Sequence, residues 1–335
     1  LSVERLNEIS EINAAGRTAT VGAGVILSNL HDAAEAHDLI FPLTLGARGS
    51  AMIGGLLSTN AGGSNVVRYG STRGLCLGLE VVMADGRIMN LMSALHKDNS
   101  GLDLRNLVIG AEGTLGIITA AVLKLRPKPQ AYATAMVAVP SLPDALSLLH
   151  RLQDETGGGV EAFEYMPRSY IDKHMQLFPG VAGPFDESYD VNIMIEVAAT
   201  QAKDAVPQED GSLPVVRALE DTLGAMLEDG TVLDAVIAQN DTQRREIWKR
   251  REDAGEVAFF GGVFVNTDVA VPLDKVEAFE KALTPRIKAI DPNADEVIVA
   301  HLGDGNIHHT SYISRNDPTV MGALVEAVED VVQEL

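Results

Sequence analysis

Pro42-Leu43-Thr44-Leu45-Gly46-Ala47-Arg48-Gly49-Ser50-Ala51-Met52-Ile53-Gly54-Gly55, followed closely by Ser58-Thr59-Asn60-Ala61-Gly62-Gly63, is the stretch that decides the fold. Glycines stand at 46, 49, 54, 55, 62, 63, 70, 74 and 78, far above an average usage of about 7%. Glycine permits positive φ and close backbone approach, so paired glycines flanked by Ser50, Ser58, Thr59 and Asn60 give a loop with inward N–H groups and short hydroxyls, suited to a pyrophosphate. The same composition also describes a tight turn region in an all-β domain. Val21-Gly22-Ala23-Gly24 follows a strand-like run, but Leu27 occupies the third glycine position of a Rossmann fingerprint and fails at helix–strand packing. No Walker lysine pattern is present.

Working outward, residues 18–21, 79–83 and 117–123 read as strands separated by turns. Asp85-Gly86 between Met83 and Arg87 suits a two-residue hairpin turn. Arg126-Pro127-Lys128-Pro129 then breaks all periodicity, and a domain boundary falls there, giving domains 1–127 and 128–335. Beyond it strands (132–139, 191–198, 263–271, 296–300) alternate with helices (142–152, 213–227, 241–254, 274–290), and 178–189 is a loop. The fold class is α+β, with helices covering one face of a mostly antiparallel sheet.

The chain has 335 residues, enough for about two domains and a sizeable core. Its 46% apolar content excludes disorder, and a net charge of −21 argues against nucleic acid or anionic lipid as partner. No run of 18 apolar residues implies a membrane span. The single cysteine, Cys76, sits in an apolar run and reads as a buried hydrophobe, which fits a reducing compartment: cytoplasm, or mitochondrial matrix in a eukaryote. The sequence opens on Leu1, and a helix from Asp317-Pro318-Thr319, apolar at 320, 324, 328, 331 and 335, runs to its last residue. Further sequence is expected on both sides.

In Val299-Ala300-His301-Leu302-Gly303-Asp304-Gly305-Asn306-Ile307-His308-His309 the Gly-Asp-Gly-Asn tetrad can turn tightly enough to bring His301 and His308 together. Two histidines plus a carboxylate make a divalent-metal site with open positions. A bare H-x6-H also describes hydrogen-bonded core histidines; inside this hairpin the metal reading is preferred. His309 reads as alternating to the solvent side. In Ile247-Trp248-Lys249-Arg250-Arg251-Glu252 three successive cations lie about 100° apart, so only one faces any given target. Lys249 and Arg250 read as a solvated face, and Trp248 as a core anchor.

The glycine segments above, with Arg68-Tyr69-Gly70 and Glu112-Gly113-Thr114-Leu115-Gly116-Ile117-Ile118-Thr119, resemble the PCMH-type FAD-binding domain of the vanillyl-alcohol-oxidase superfamily. The branch holding D-lactate and D-2-hydroxyglutarate dehydrogenases is the most similar. The resemblance implies that Pro42, Gly46, Ala47, Arg48, Gly49 and Ser50, then Thr59, Asn60, Ala61, Gly62 and Gly63, line the flavin and diphosphate. Glu112, Gly113, Gly116, Ile117 and Ile118 would hold the isoalloxazine and ribityl side, while the family's earlier diphosphate loop should precede Leu1. It implies a C-terminal substrate domain with His301 and His308 on a divalent metal, zinc or manganese, Asn306 of the same segment at the site, and Arg251 clamping a substrate carboxylate. The family's third ligand, a glutamate of a Glu-His-Gly segment, and the histidine after it are absent from this sequence.

The activity so implied is FAD-dependent oxidation of a D-2-hydroxy acid, of D-lactate or D-2-hydroxyglutarate type, to the 2-oxo acid. Hydride passes from C2 to flavin N5 with metal assistance, and a separate acceptor (electron-transfer flavoprotein, quinone or cytochrome) reoxidises the flavin. A homodimer is compatible with this. Where the D-2-hydroxyglutarate subfamily has threonine, lysine and asparagine, this sequence places Gly255, Asn266 and Thr310, which favours a monocarboxylate such as D-lactate, or an unfamiliar D-2-hydroxy acid. Two alternatives are a flavin-less fragment or binding module, and a non-redox sibling of the ether-lipid synthase type.

Overall fold

Short apolar runs with period-two alternation pair in antiparallel ladders throughout the chain, and helical stripes close over them. The computed structural model describes residues 1–199, 201–260 and 262–335, and divides into two units, Leu1–Pro129 and Gln130–Leu335.

The first unit contains β1 (Ile9–Asn13), β2 (Thr18–Gly22), α1 (Leu27–Glu35), β3 (Leu39–Ile40), α2 (Ile53–Ser58), α3 (Val66–Tyr69), α4 (Thr72–Leu75), β4 (Cys76–Val82), β5 (Ile88–Leu91), α5 (Arg105–Val108), β6 (Ile117–Lys124) and β7 (Arg126–Pro127). Its sheet has the order β1-β2-β6-β4-β5, with β3 and β7 pairing separately. Alternate residues Ala19 and Val21, Leu79 and Val81, and Ala121 and Leu123 enter one core with Leu27 and Leu30 of α1 and Ile53 and Leu57 of α2. The β4–β5 hairpin forms as expected, but its connection has three residues rather than two. Met83 N bonds Arg87 O at 2.9 Å, Gly86 N bonds Met83 O at 2.9 Å, and Gly86 takes φ 84°, the left-handed position of a bulged turn. Cys76 is buried, its thiol donates to Gly78 O, and burial pushes its pKa up to about 12.

The second unit runs β8 (Ala131–Val139), α6 (Leu142–Glu155), β9 (Val160–Pro167), α7 (Arg168–Leu177), β10 (Val191–Ala199), α8 (Ala202–Ala205), α9 (Pro214–Glu228), β11 (Asp234–Ile237), α10 (Asp241–Glu252), α11 (Ala254–Ala258), β12 (Val263–Ala270), a 3-10 turn (Leu273–Lys275), α12 (Val276–Ile290), β13 (Asp295–His301), β14 (Asn306–Ile313) and α13 (Pro318–Glu334). The seven-stranded sheet has the order β11-β8-β10-β9-β13-β14-β12, and every neighbouring pair is antiparallel. The helix expected over 241–254 is two helices, parted at Asp253. The strand β9 and helix α7 are elements the sequence analysis does not contain.

Helices cover both faces of this sheet, not one. Met136, Ala162, Met166, Met194, Val297 and Val299 on one face pack against Tyr170 and Ile171 of α7, Ile247 of α10, and Ala254 and Val257 of α11, while α6, α9 and α13 pack on the strands as well. A position that alternates away from one helical layer therefore meets another. No helix among the described residues is long and apolar enough to cross a membrane.

Candidate functional site

In the first unit α2, which begins at the end of the 42–55 glycine stretch, comes together with the 112–119 segment. Gly54, Gly55 and Ser58 on one side, and Gly113, Gly116, Ile117 and Ile118 on the other, line a cavity of about 190 Å³. Leu57 O accepts from Gly110 N at 3.1 Å and Ser58 O from Glu112 N at 2.9 Å, which locks the helix to the following loop. Asn60 and Glu112 both take left-handed φ, 49° and 50°, an uncommon backbone state for residues other than glycine.

The predicted flavin residues divide by environment. Gly46 to Ser50 form an exposed turn, tied back by Ser28 N to Arg48 O. A Cβ added at Gly46, Gly49 or Gly55 would meet nothing within 4 Å, the open space a close-lying cofactor uses; the residues fit FAD in that respect. Pro42 is buried, and a Cβ at Gly63 would stand 1.9 Å from Thr44 O. Those two positions serve internal packing. Ala61 O accepts from Thr72 Oγ1, and Asn60 Oδ1 accepts from Arg73 N, while Thr59 and Gly62 stay partly or fully exposed. Gly54, Gly55 and Ser58 belong to the glycine-rich stretch whose composition suits a pyrophosphate, although the family resemblance does not place them at the flavin.

In the second unit α10 is pinned by a carboxylate. Glu196 of β10, 3% exposed, accepts from Thr134 Oγ1, Arg244 Nε and Nη2, and Trp248 Nε1, each at 2.7 Å. Arg244, Trp248 and Arg251 follow i, i+4, i+7 spacing, so anchoring the first two turns the third to the sheet. Trp248 is thus an anchor through its N–H as well as its ring. Arg251 is 8% exposed, and its Nε donates to Glu164 Oε2 at 2.7 Å. Arg250 is also buried, at 7%, donating to Ala182 O while its own carbonyl accepts from Tyr170. The expectation that it lies on a solvated face is incorrect, because Tyr170 of α7 and Ala182 of the 178–189 loop pack against it; Lys249 is exposed and pairs with Asp253.

His301 ends β13 and His308 lies in β14; their ring centroids are 5.1 Å apart at 81°. Val299 pairs with His308 and His301 with Asn306, so the two imidazoles occupy one face on a diagonal. Glu164 of β9, which sequence reasoning missed, stands opposite His301 in the ladder, with its oxygens 2.7 and 2.9 Å from Nδ1. Burial opposes ionisation of this carboxyl, yet His301 and the Arg251 guanidinium outweigh it and hold its pKa down to about 2. An ionised carboxylate only accepts, so a neutral His301 facing it donates from Nδ1 and keeps its lone pair on Nε2. Likewise Asp268 Oδ2 lies 3.4 Å from His308 Nδ1, and the hydrogen bond from His308, ahead of the opposing effect of burial, lowers its pKa.

Histidines whose outer nitrogens face carboxylates are the usual arrangement behind a bound metal, so the donor set fits a divalent ion. The expected carboxylate ligand does not stand beside them: Glu164 and Asp268 sit behind the rings, and among the described residues no three His, Cys, Asp or Glu side chains group to hold one ion. Asn306 Nδ2 donates to Asp268 Oδ1 at 2.6 Å and to Val269 O, so it braces Asp268. His309 is 1% exposed and meets Glu296 and Thr267; the solvent-side expectation fails because helices cover that face too. Thr310 Oγ1 donates to Asn266 Oδ1 at 2.8 Å, in the next same-face pair after Asp268 and His308. Gly255 is exposed on α11.

Residues 1–92 match the family model of a FAD binding domain, and residues 128–335 that of FAD linked oxidases, C-terminal domain. Similar relatives include a D-2-hydroxyglutarate dehydrogenase of Xanthomonas citri pv. viticola, 35% identical over all of this chain and 67% of the relative. The mitochondrial D-2-hydroxyglutarate dehydrogenase of Bos taurus is 34% identical over 97% of this chain and 57% of its own length. Among solved structures, an alkyldihydroxyacetonephosphate synthase matches 99% of this chain and 62% of its own, with a TM-score of 0.70 at 15% identity, a likeness of fold. The chain spans about three fifths of the length of these relatives.

Proposed function

The chain belongs to the FAD-linked oxidases, and on that premise we propose that the full-length protein oxidises a D-2-hydroxy acid to its 2-oxo acid, with residues 1–127 serving the flavin and 128–335 the substrate. When bound, FAD would supply a hydride acceptor for the substrate's C2, and a divalent ion, zinc or manganese, would polarise the substrate hydroxyl. His301 and His308 would hold that ion. Arg251 binds the substrate carboxylate, for which a planar guanidinium is the right shape. A separate electron acceptor reoxidises the flavin. The observation that carries the reading is the meeting of Arg251 and His301 at one carboxylate, Glu164, with His308 against the His301 ring on the same face of the sheet.

The relatives are named for D-2-hydroxyglutarate, but the mutual bond of Asn266 and Thr310 offers no cation to a second acid. We therefore assign a monocarboxylate of D-lactate type. A substrate panel on the full-length protein with an artificial acceptor tests this. A preference for D-2-hydroxyglutarate over D-lactate beyond about a hundredfold, nearly 3 kcal/mol, would refute the monocarboxylate. Loss of a charge-assisted contact of about 1.5–3 kcal/mol means that Arg251→Ala lowers kcat/KM by roughly ten- to over a hundredfold; an unchanged value removes Arg251 from the site.

A further inference from the structure

Glu164 is a buried acid flanked in β9 by Ala162, Phe163, Tyr165 and Met166, all buried, with Glu161 a second buried acid of the same strand. A carboxylate that is 1% exposed costs free energy unless its partners compensate it fully. Here one carboxylate serves two residues from distant parts of the sequence. Oε2 accepts from Arg251 Nε at 2.7 Å and lies 2.7 Å from His301 Nδ1, and Oε1 lies 2.9 Å from the same nitrogen. Arg251 Nη2 in turn lies 3.5 Å from His301 Nδ1, so both donors point at the same small target.

From this we infer that Glu164 is a positioning residue that fixes two groups at once. It selects the His301 tautomer whose Nε2 presents a lone pair, and it holds Arg251 by Nε so that the ends of the guanidinium are not spent on it. Asp268 does the first task alone and less tightly for His308: its side chain is 59% exposed and 3.4 Å away. The unequal burial predicts unequal importance. The inference extends the proposed site and draws on it for the ion-binding readout; the tautomer of His301 is independent of that reading.

The test uses the full-length flavoprotein, labelled with 15N-histidine and stripped of metal, compared with Glu164→Gln. The wild type should show His301 with hydrogen on Nδ1. The glutamine amide donates toward Nδ1 and should move the hydrogen to Nε2, a change that loss of packing alone would not produce. In competition with a chelator, zinc should bind about ten- to a hundredfold more weakly to Glu164→Gln, and Asp268→Asn should lose less. Should Glu164→Gln not accumulate as folded protein, the double variant Glu164→Gln/Arg251→Met, which leaves no unpaired buried cation, carries the same measurements. A wild-type His301 with its hydrogen on Nε2, or a variant whose tautomer and zinc affinity match the wild type, overturns the inference. A wild type that takes up no zinc while the tautomer shift is seen refutes the ion-binding reading and leaves Glu164 as the organiser of His301 and Arg251.

Discussion

Replacing Glu280 by glutamine should make the protein more stable at neutral and alkaline pH while changing little at pH 4.5. Glu280 projects from α12 toward the sheet. Tyr165 donates to its Oε2 at 3.3 Å, and its Oε1 is buried without a hydrogen-bond partner. Burial, reinforced by the neighbouring carboxylates Glu296 and Glu277 and opposed by the Tyr165 bond, raises its pKa from 4.5 to about 7. Below pH 4.5 the carboxyl is protonated folded and unfolded alike, and nothing is lost. Between 4.5 and 7 the unfolded chain ionises first, so stability falls as pH rises, and above 7 the loss levels off. At about 1.4 kcal/mol per pH unit the full loss is about 3 kcal/mol. Glutamine keeps the acceptor for Tyr165 and never ionises. Urea unfolding of parent and Glu280→Gln at several pH values between 4.5 and 8 should show the difference growing toward that figure, a midpoint change of about 1 to 3 M at m-values of roughly 1–3 kcal/mol/M. A difference that stays constant across this range would refute the reasoning.

His301→Ala and His308→Ala should each abolish turnover and zinc uptake in the full-length protein while leaving flavin absorbance, roughly at 450 nm, intact; undiminished turnover after exhaustive chelation contradicts the ion's role. Gly305→Ala should destabilise the histidine hairpin by about 2 kcal/mol or more, because Gly305 takes φ 79° and an added Cβ would lie 2.2 Å from Val271 O. A thermal shift within error of the parent would show that the turn relaxes at no cost.

The histidine pair was legible because everything that brings it together lies within one hairpin of eleven residues, where turn chemistry and ladder register are local. Arg251 was legible only through family likeness, since periodicity alone cannot decide which of three cations turns inward; that depends on Glu196, a residue of another strand. Glu164 was missed because it reaches His301 across strands 137 residues apart in sequence; acids inside an apolar run were a visible signal, but Glu161 carries the same one. The misplacements of Arg250 and His309 have separate causes: Arg250, on a helix, is covered by Tyr170 of the neighbouring helix and by Ala182 of a loop, while His309 is on a strand. A strand with one polar-looking face suggests solvent, but in a sheet covered on both sides a polar residue finds a buried partner instead, as His309 does in Glu296.

The strand order has a mechanical corollary. β8 and β10 pair along nine positions and β12 and β14 along eight, but β9 and β13 join at two, Ala300 to Tyr165 and His301 to Glu164. The seven strands are thus two half-sheets stitched at one short seam, with Glu164 on one bank and the two histidines on the other; α10, which carries Arg251, packs on β8 and β10 of the first bank. Anything bound simultaneously by Arg251 and by His301 or His308 is a rivet across that seam. Ligand binding should therefore slow hydrogen exchange of the seam amides more than that of the long ladders on either side, and cohesion between the banks becomes a property that the protein shares with its ligand.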